Sequence, residues 1–424
     1  MLRAGLAFIL IASAMATPVL AEFEPHPDRV LCEGSTGYAD SFDGRRTFLW
    51  RPEWLRAEKA RLAGDDRARA ALVKDADTAL RGPLYSVTDK LKTPASGDRA
   101  DYYSIGPYWW PTKGKPDGEP YSRRDGEVNP ERDGEEFDKR RLTSFSRDVE
   151  TLSLAAYMLD EDRYAARAAQ LIRTWFLDPA ARMNPNLNHG QAIPGRTTGR
   201  GEGIIDSTQL VPVVEAIGLI APTGALSVEE QAALRVWFRE YATWLATSDI
   251  GTSELQKQNN HGLWFDMFLT HFSLFAGLES VAKNVSESFL DSRIARQMGK
   301  DGHLPAELTR TRPFHYSHFA MGAAVRLATL AECVDIDLWT ATTPDGRGLR
   351  RGMEFLLPYQ ATTESWPARR NDRDLADSKR LERARRTAAE TFRIAAWGYD
   401  SPAYEAAAAN YGDEGKDWLA PLTK

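Results

Sequence analysis

Cysteine is nearly missing from this chain. Only Cys32 and Cys333 occur among 424 residues, so a framework of disulfides is not what holds the fold together. Their spacing leaves open whether they pair with each other. Long apolar runs are lacking beyond the N-terminus, and no later stretch approaches the length of a membrane-spanning helix. A basic excess is lacking too: 54 Lys and Arg stand against 60 Asp and Glu, for a formal net charge of −6. An acidic chain argues against nucleic acid as a partner. It also requires that any anionic ligand find basic groups gathered locally in a cleft. Strand signals are almost absent, which leaves helices to build the core.

The first 21 residues, MLRAGLAFILIASAMATPVLA, combine the early Arg3, an apolar run over residues 6–16 and a small-residue processing site ending at Ala21. This pattern predicts a secretory signal, with export to the periplasm or beyond and no membrane anchor. The mature chain, residues 22–424, would then carry a charge of about −7. With 42% hydrophobic residues it has ample material for a core, and it reads as a single domain.

Helical periodicity marks residues 52–80, 145–176, 207–220, 227–246, 263–282, 286–298, 319–333, 349–358, 381–399 and 402–411. Ser227 and Glu230 form a capping box, and Asp206 or Ser207 is placed to cap the helix that follows. So many one-sided helices joined by short loops predict an all-α fold of antiparallel helix pairs. Two long segments interrupt the pattern: DYYSIGPYWWPTKGKPDGEPYSRRDGEVNPERDGEE and MNPNLNHGQAIPGRTTGRGEGIID. Their aromatic and amide content is that of ordered, functional loops rather than tethers.

The chemistry concentrates at two helix starts. In QKQNNHGLWFD, Asn260 and His261 precede an apolar helix, with Asn260 in the place of an N-cap. In LPAELTRTRPFHYSHF, Arg310, Arg312, His315, Tyr316 and His318 precede another. Pro313 disfavours helix at Arg312, so Arg310 should lie on a loop and Tyr316 in the opening turn. Helix starts favour anions and disfavour an imidazolium, which suits a neutral His261 acting as a base. Asn donates without charge, Arg offers a fork for a carboxylate, and Tyr can donate or accept a proton. This set suits removal of a proton from the carbon beside a carboxylate, where the barrier is the second negative charge that builds up.

The stretches DYYSIGPYWWP, DGEVNPE, NPNLNHGQAIPG, QNNHGLW and ELTRTRPFHYSHF, in this order over residues 51–399, resemble the alginate lyase superfamily of polysaccharide lyases. The resemblance implies a toroid-like (α/α) helical barrel with long groove-lining loops, and β-elimination of 4-linked polyuronates without metal or other cofactor. The catalytic Asn, His, Arg and Tyr it implies fall on Asn260, His261, Arg310 and Tyr316. One departure concerns specificity: periplasmic alginate lyases tend to carry Tyr directly before the residue matching His318, and this chain has Ser317 there. Its RTRPFHYS form is more similar to relatives acting on alginate, glucuronan or both.

An anionic polysaccharide needs subsites. Trp109, Trp110 and Tyr103 in the first loop could stack on sugar rings or fill gaps between helices. His189, Gln191 and Arg200 in the second fit hydroxyls and carboxylates. Arg123 and Arg124 are candidates for the local basic patch, although mixed charge runs are commonly solvated. A glycoside hydrolase is the rival enzyme, with Asp148, Glu150, Glu202 and Asp206 as candidate carboxylates. A sugar-binding protein without turnover is the third reading. His315 and His318 lack the supporting ligands of a metal pair, GRGEG lacks a nucleotide loop's context, and no serine stands on a nucleophile elbow.

Overall fold

The helical stretches read in the sequence are helical in the structure, with boundaries shifted by a few residues and several of them divided in two. The computed structural model describes residues 30–409, so the expected export signal and the end of the expected helix at 402–411 lie outside the described residues. The region 52–80 divides into α1 (Pro52–Ala63) and α2 (Asp66–Leu80), because Asp65 caps the second helix through the Ala68 N–H. The region 145–176 is α3 (Lys139–Leu159) and α4 (Asp162–Phe176), turned by Asp160 in the left-handed conformation at φ 55. There follow α5 (Val211–Ile220), α6 (Val228–Thr247) with its expected capping box, and the short α7 (Asp249–Leu255). α8 (Asn260–Ala276) stops at Gly277, and α9 (Glu279–Phe289) continues through a π turn into α10 (Ala295–Gln297). The rest are α11 (Pro305–Leu308), α12 (Pro313–Ala331), α13 (Leu349–Leu356), α14 (Pro358–Ala361), α15 (Ser378–Tyr399) and α16 (Pro402–Ala409).

The expected cap at Asp206 or Ser207 is not formed. Both residues lie in a 3₁₀ segment, Gly201–Gln209, and α5 begins without a side-chain cap. Asp206 is instead a buried anchor for the first loop: it accepts from Tyr102 and Ser104, both at 2.9 Å, and pairs with Lys139 at 3.0 Å.

Two rings of helices result. Residues of α1, α3, α5, α8, α12 and α15 surround an interior cavity of about 410 Å³. Outside them α4 packs on α3, α6 and α9 on α8, and α16 on α15. The inner position explains why α8 and α12 are buried along nearly their whole length and mostly apolar, with the polar exceptions Asp266 and His271 paired inside to Arg293 and Glu215. The stretch Gly201–Thr223 is apolar enough by length and composition to cross a membrane, beyond what the sequence reading allowed, yet it is 72% buried within the barrel. Cys32 and Cys333 are bonded, tying the N-terminal segment to the far end of α12. Glu215 of α5 pins the same segment by accepting the Phe48, Leu49 and Trp50 backbone N–H groups at 2.9, 3.1 and 3.0 Å.

The two long loops are ordered by short strands. β1 (Tyr103–Ile105), β2 (Trp109–Trp110), β3 (Ser122–Arg123) and β4 (His189–Ala192) form two pairs, β1 parallel with β4 and β2 antiparallel with β3. They lay both loops across the rim where α8 and α12 begin.

Candidate active site

At the start of α8 the cap is Asn259, not Asn260: its side chain accepts the His261 N–H at 3.1 Å. Asn260 is the first helical residue, and its backbone N–H and one hydrogen of its side-chain amide are taken by Glu307 of α11. The backbone N–H gives to Oε1 at 2.5 Å and Nδ2 to Oε2 at 2.9 Å. His261 Nδ1 lies 2.5 Å from Glu254 Oε1, at the end of α7. An ionised carboxylate only accepts, so Nδ1 carries a hydrogen towards Glu254, and in the neutral ring the lone pair is then on Nε2. Gly262 makes this crowding feasible, since a Cβ there would stand 2.2 Å from the Lys257 carbonyl oxygen.

At the start of α12, Arg310 lies in the turn before Pro313 and Tyr316 in the first helical turn. The Arg310 guanidinium sits 3.9 Å from the Tyr316 ring centroid, and Nη2 donates to Asp125 at 3.3 Å. The Tyr316 hydroxyl is 2.6 Å from that of Tyr108. Burial pushes the Tyr316 phenol far up and Tyr108 adds to this, while Arg310 opposes them; the group holds its proton at neutral pH. His315 is kept neutral, down at about 3, by burial and then by Arg312, His318 and Arg310. It stacks on Phe319. His318 turns elsewhere, towards the Phe314 carbonyl and Gln360.

Asn260, His261, Arg310 and Tyr316 therefore wall one cleft of about 480 Å³. Of the expected subsite residues, Trp109, Arg123, Gln191 and Arg200 join them there. Gln191 adopts a left-handed backbone at φ 46, the sort of strain that concentrates at functional sites. Its side chain accepts from Arg200 Nη2 at 2.8 Å. Tyr103, Trp110, Arg124 and His189 are not among the residues that line the cleft. Tyr103 packs edge-on against Phe137. Trp110 donates to the Glu127 carbonyl and carries the Arg124 guanidinium 4.9 Å from its ring centroid. His189 Nδ1 faces the Thr198 carbonyl at 3.1 Å. Adjacent residues of a strand point to opposite faces, so Trp109 and Trp110 could not both reach the cleft.

The hydrolase carboxylates are dispersed. Asp148 accepts from Tyr85 at 2.7 Å, Glu150 lines the barrel interior, and Asp206 is the buried loop anchor. Glu202 alone of the four reaches the cleft. Burial would raise it, but Arg200 and Lys257 hold it at about 2, with Lys257 Nζ at 2.9 Å. An ion-paired carboxylate is a poor general acid, and none of the other three opposes it across the cleft.

Five contributors escaped the sequence reading: Tyr108, Glu254, Lys257, Asn259 and Glu307. Tyr108 is one aromatic among several in its loop. Glu254 precedes one marked motif and Glu307 opens the other, but they stand on helices of only seven and four residues, too short for periodicity to reveal.

The alginate lyase family model matches residues 86–366. The crystal structure of an alginate lyase from Bacteroides ovatus is similar at 33% identity and a TM-score of 0.82, covering 90% of this chain and 99% of that one. Alginate lyase A1-III from Sphingomonas species A1 shares the fold at 16% identity and a TM-score of 0.52, over 89% of this chain and 95% of that one. A single-substitution variant of alginate lyase A1-III complexed with a tetrasaccharide gives 15% identity and the same score, over 86% and 90%. No curated protein sequence matches. The helical barrel, the family match across its middle and the likeness along almost the full Bacteroides ovatus chain agree: this chain belongs to the alginate lyase family.

Proposed function

We propose that this chain is an exported polysaccharide lyase that cleaves 4-linked polyuronates, alginate or glucuronan, by β-elimination, leaving a 4,5-unsaturated uronate at the new non-reducing end. The observation that carries this reading is the meeting of Asn260, His261, Arg310 and Tyr316 on one cleft. Asn260 and Arg310 would hold the carboxylate of the sugar at the +1 subsite, the one that loses its C5 proton, and so draw charge away from C5. His261 Nε2, with Nδ1 engaged by Glu254, takes the C5 proton. Tyr316, whose proton burial retains, gives it to the departing O4.

A second route has its own support. Where proton and leaving group share a face of the ring, one phenol can serve both steps, and Tyr316 has the Arg310 guanidinium over its ring to favour a phenolate. Trp109, Gln191, Arg200 and Arg123 supply a stacking face and basic groups for neighbouring sugars. The basic side chains in the cleft answer the difficulty that an acidic protein poses for an anionic polymer. The Cys32–Cys333 bond accords with export into an oxidising compartment.

The test is parallel incubation with polymannuronate, polyguluronate and glucuronan, following the ultraviolet absorbance of the conjugated product. A lyase creates that chromophore. Reducing ends that appear without it would mean hydrolysis, and binding without either product would mean a sugar-binding protein.

A further inference from the structure

Glu307 is 1% exposed and belongs to the four-residue helix α11, whose short packing surface gives no reason for a buried acid. Its two oxygens serve a single residue: Oε1 accepts the Asn260 backbone N–H and Oε2 accepts Asn260 Nδ2. The backbone donor cannot be turned round, because an N–H at a helix start has a fixed direction. The side-chain donor follows from it: a carboxylate accepts at both oxygens, so Nδ2 faces Glu307 and Oδ1 faces away. Nδ2 carries two hydrogens. One is committed to Glu307, and the other is left for the cleft that Asn260 lines. Burial pushes the Glu307 carboxyl up, and the two Asn260 hydrogen bonds oppose that push, followed by Arg310 and His261.

Resting on the reading of Asn260 as a ligand of the substrate's carboxylate, we infer that Glu307 is a positioning residue: it sets the side-chain amide of Asn260 so that an N–H, not the carbonyl oxygen, meets that carboxylate. An amide turned the other way would set a lone pair against an anion and work against Arg310. Because Glu307 stands three residues before Arg310, it also locks the spacing between the two groups that grip the same carboxylate.

Glu307→Gln separates this role from packing. Glutamine has the same size, and its Oε1 must take the immovable backbone N–H. That leaves Nε2, a donor, facing Asn260, whose amide then turns to offer Oδ1. The site stays filled with both hydrogen bonds made, but the donor is displaced. The variant should melt within a few degrees of the parent while kcat/KM on a cleaved uronan falls about 10- to 100-fold.

The deciding measurement is a binding cycle by calorimetry with a uronate tetrasaccharide, in a Tyr316→Phe background that stops turnover. Glu307→Gln should weaken Kd about tenfold with Asn260 present and less than about twofold when Asn260→Ala is also present. An equal loss in both backgrounds would overturn the positioning role, as would a Glu307→Gln enzyme with parental kcat/KM. Failure of the lyase reading itself looks different: the parent would release no unsaturated product, and Asn260→Ala alone would leave Kd unchanged, removing the inference with it.

Discussion

Glu254→Gln probes the base with least disturbance. Glu254 is 1% exposed and faces His261 Nδ1 at 2.5 Å, while the imidazole is 17% exposed at its side chain. When Nε2 takes the substrate proton, an imidazolium forms beside this carboxylate. Opposite charges with centres ~4 Å apart attract by ~4 kcal/mol at an effective dielectric of ~20. Glutamine keeps a hydrogen bond and recovers part of this, leaving a loss of roughly 2–4 kcal/mol in the transition state. Converted at ~1.4 kcal/mol per tenfold, kcat should fall roughly 30- to 1000-fold. Glutamine can also donate to Nδ1 and so allow the wrong tautomer, which moves the effect towards the upper figure. The assay is the steady-state rate of unsaturated product, with melting recorded alongside. A loss confined to KM would mean that the imidazole serves binding. A variant that folds normally and keeps more than half of parental kcat would refute His261 as the base.

Tyr316→Phe should lower kcat by about 100- to 10,000-fold, the usual worth of a positioned proton donor, while leaving the Tyr108 hydroxyl without the partner it has at 2.6 Å; residual activity above a tenth would remove Tyr316 from the mechanism. Cys333→Ser, or full reduction, opens a bond closing a separation of 301 residues, for which the chain-entropy account gives a loss of ~5–6 kcal/mol. The cleft lies ~25 Å away at the opposite end of α12, so the melting temperature should drop with KM unchanged, and a changed KM at permissive temperature would contradict that separation. His318 is held at about 4 by burial, with the Phe314 carbonyl opposing, against ~6.5 when unfolded. The unfolded chain binds the extra proton between these values, so stability from neutral His318 is full above the unfolded value and is lost as pH falls towards the folded one, by up to ~1.4 kcal/mol per pH unit. His318→Gln should flatten the melting curve between pH ~7 and ~5, and an unaltered slope would show that His318 does not set it.

The barrel was legible because helix after helix, such as α2, α4 and α15, carries an apolar stripe at helical spacing that the fold buries, a signal that periodicity reports directly. Boundaries were less so. Region 52–80 divides because Asp65 caps within it, and Asp206 abandons its expected cap for Tyr102 and Lys139, far away in sequence. The four residues that meet on the cleft stand out in the sequence because each breaks the apolar pattern at a helix start. Subsite residues could not be ranked: Trp109 and Trp110 are identical in composition terms, and only the β2 and β3 pairing decides which faces the cleft. Glu202 shows the same limit, since its ion pairs with Lys257 and Arg200, rather than its identity, exclude it as an acid.

The carboxylates that escaped notice also explain why a barrel of this kind can hold a polar site at its rim. α8 and α12 are interior helices, and their starts leave backbone donors facing a partly buried space that water cannot fully satisfy. Each long helix is preceded by a short one, α7 before α8 and α11 before α12, and each short helix delivers one buried acid, Glu254 and Glu307. Both acids turn to the same helix start: one takes the His261 imidazole, the other the Asn260 backbone and amide. The basic side chain needed for an anionic substrate is then carried three residues beyond Glu307, outside the helix and over Tyr316, where its charge faces the cleft. Satisfying the α8 terminus and orienting the groups that face the substrate are thus one structural act. Deleting either acid should therefore disturb chemistry before it disturbs the barrel, whose inner ring is held by apolar packing along helices that neither acid touches beyond the first turn.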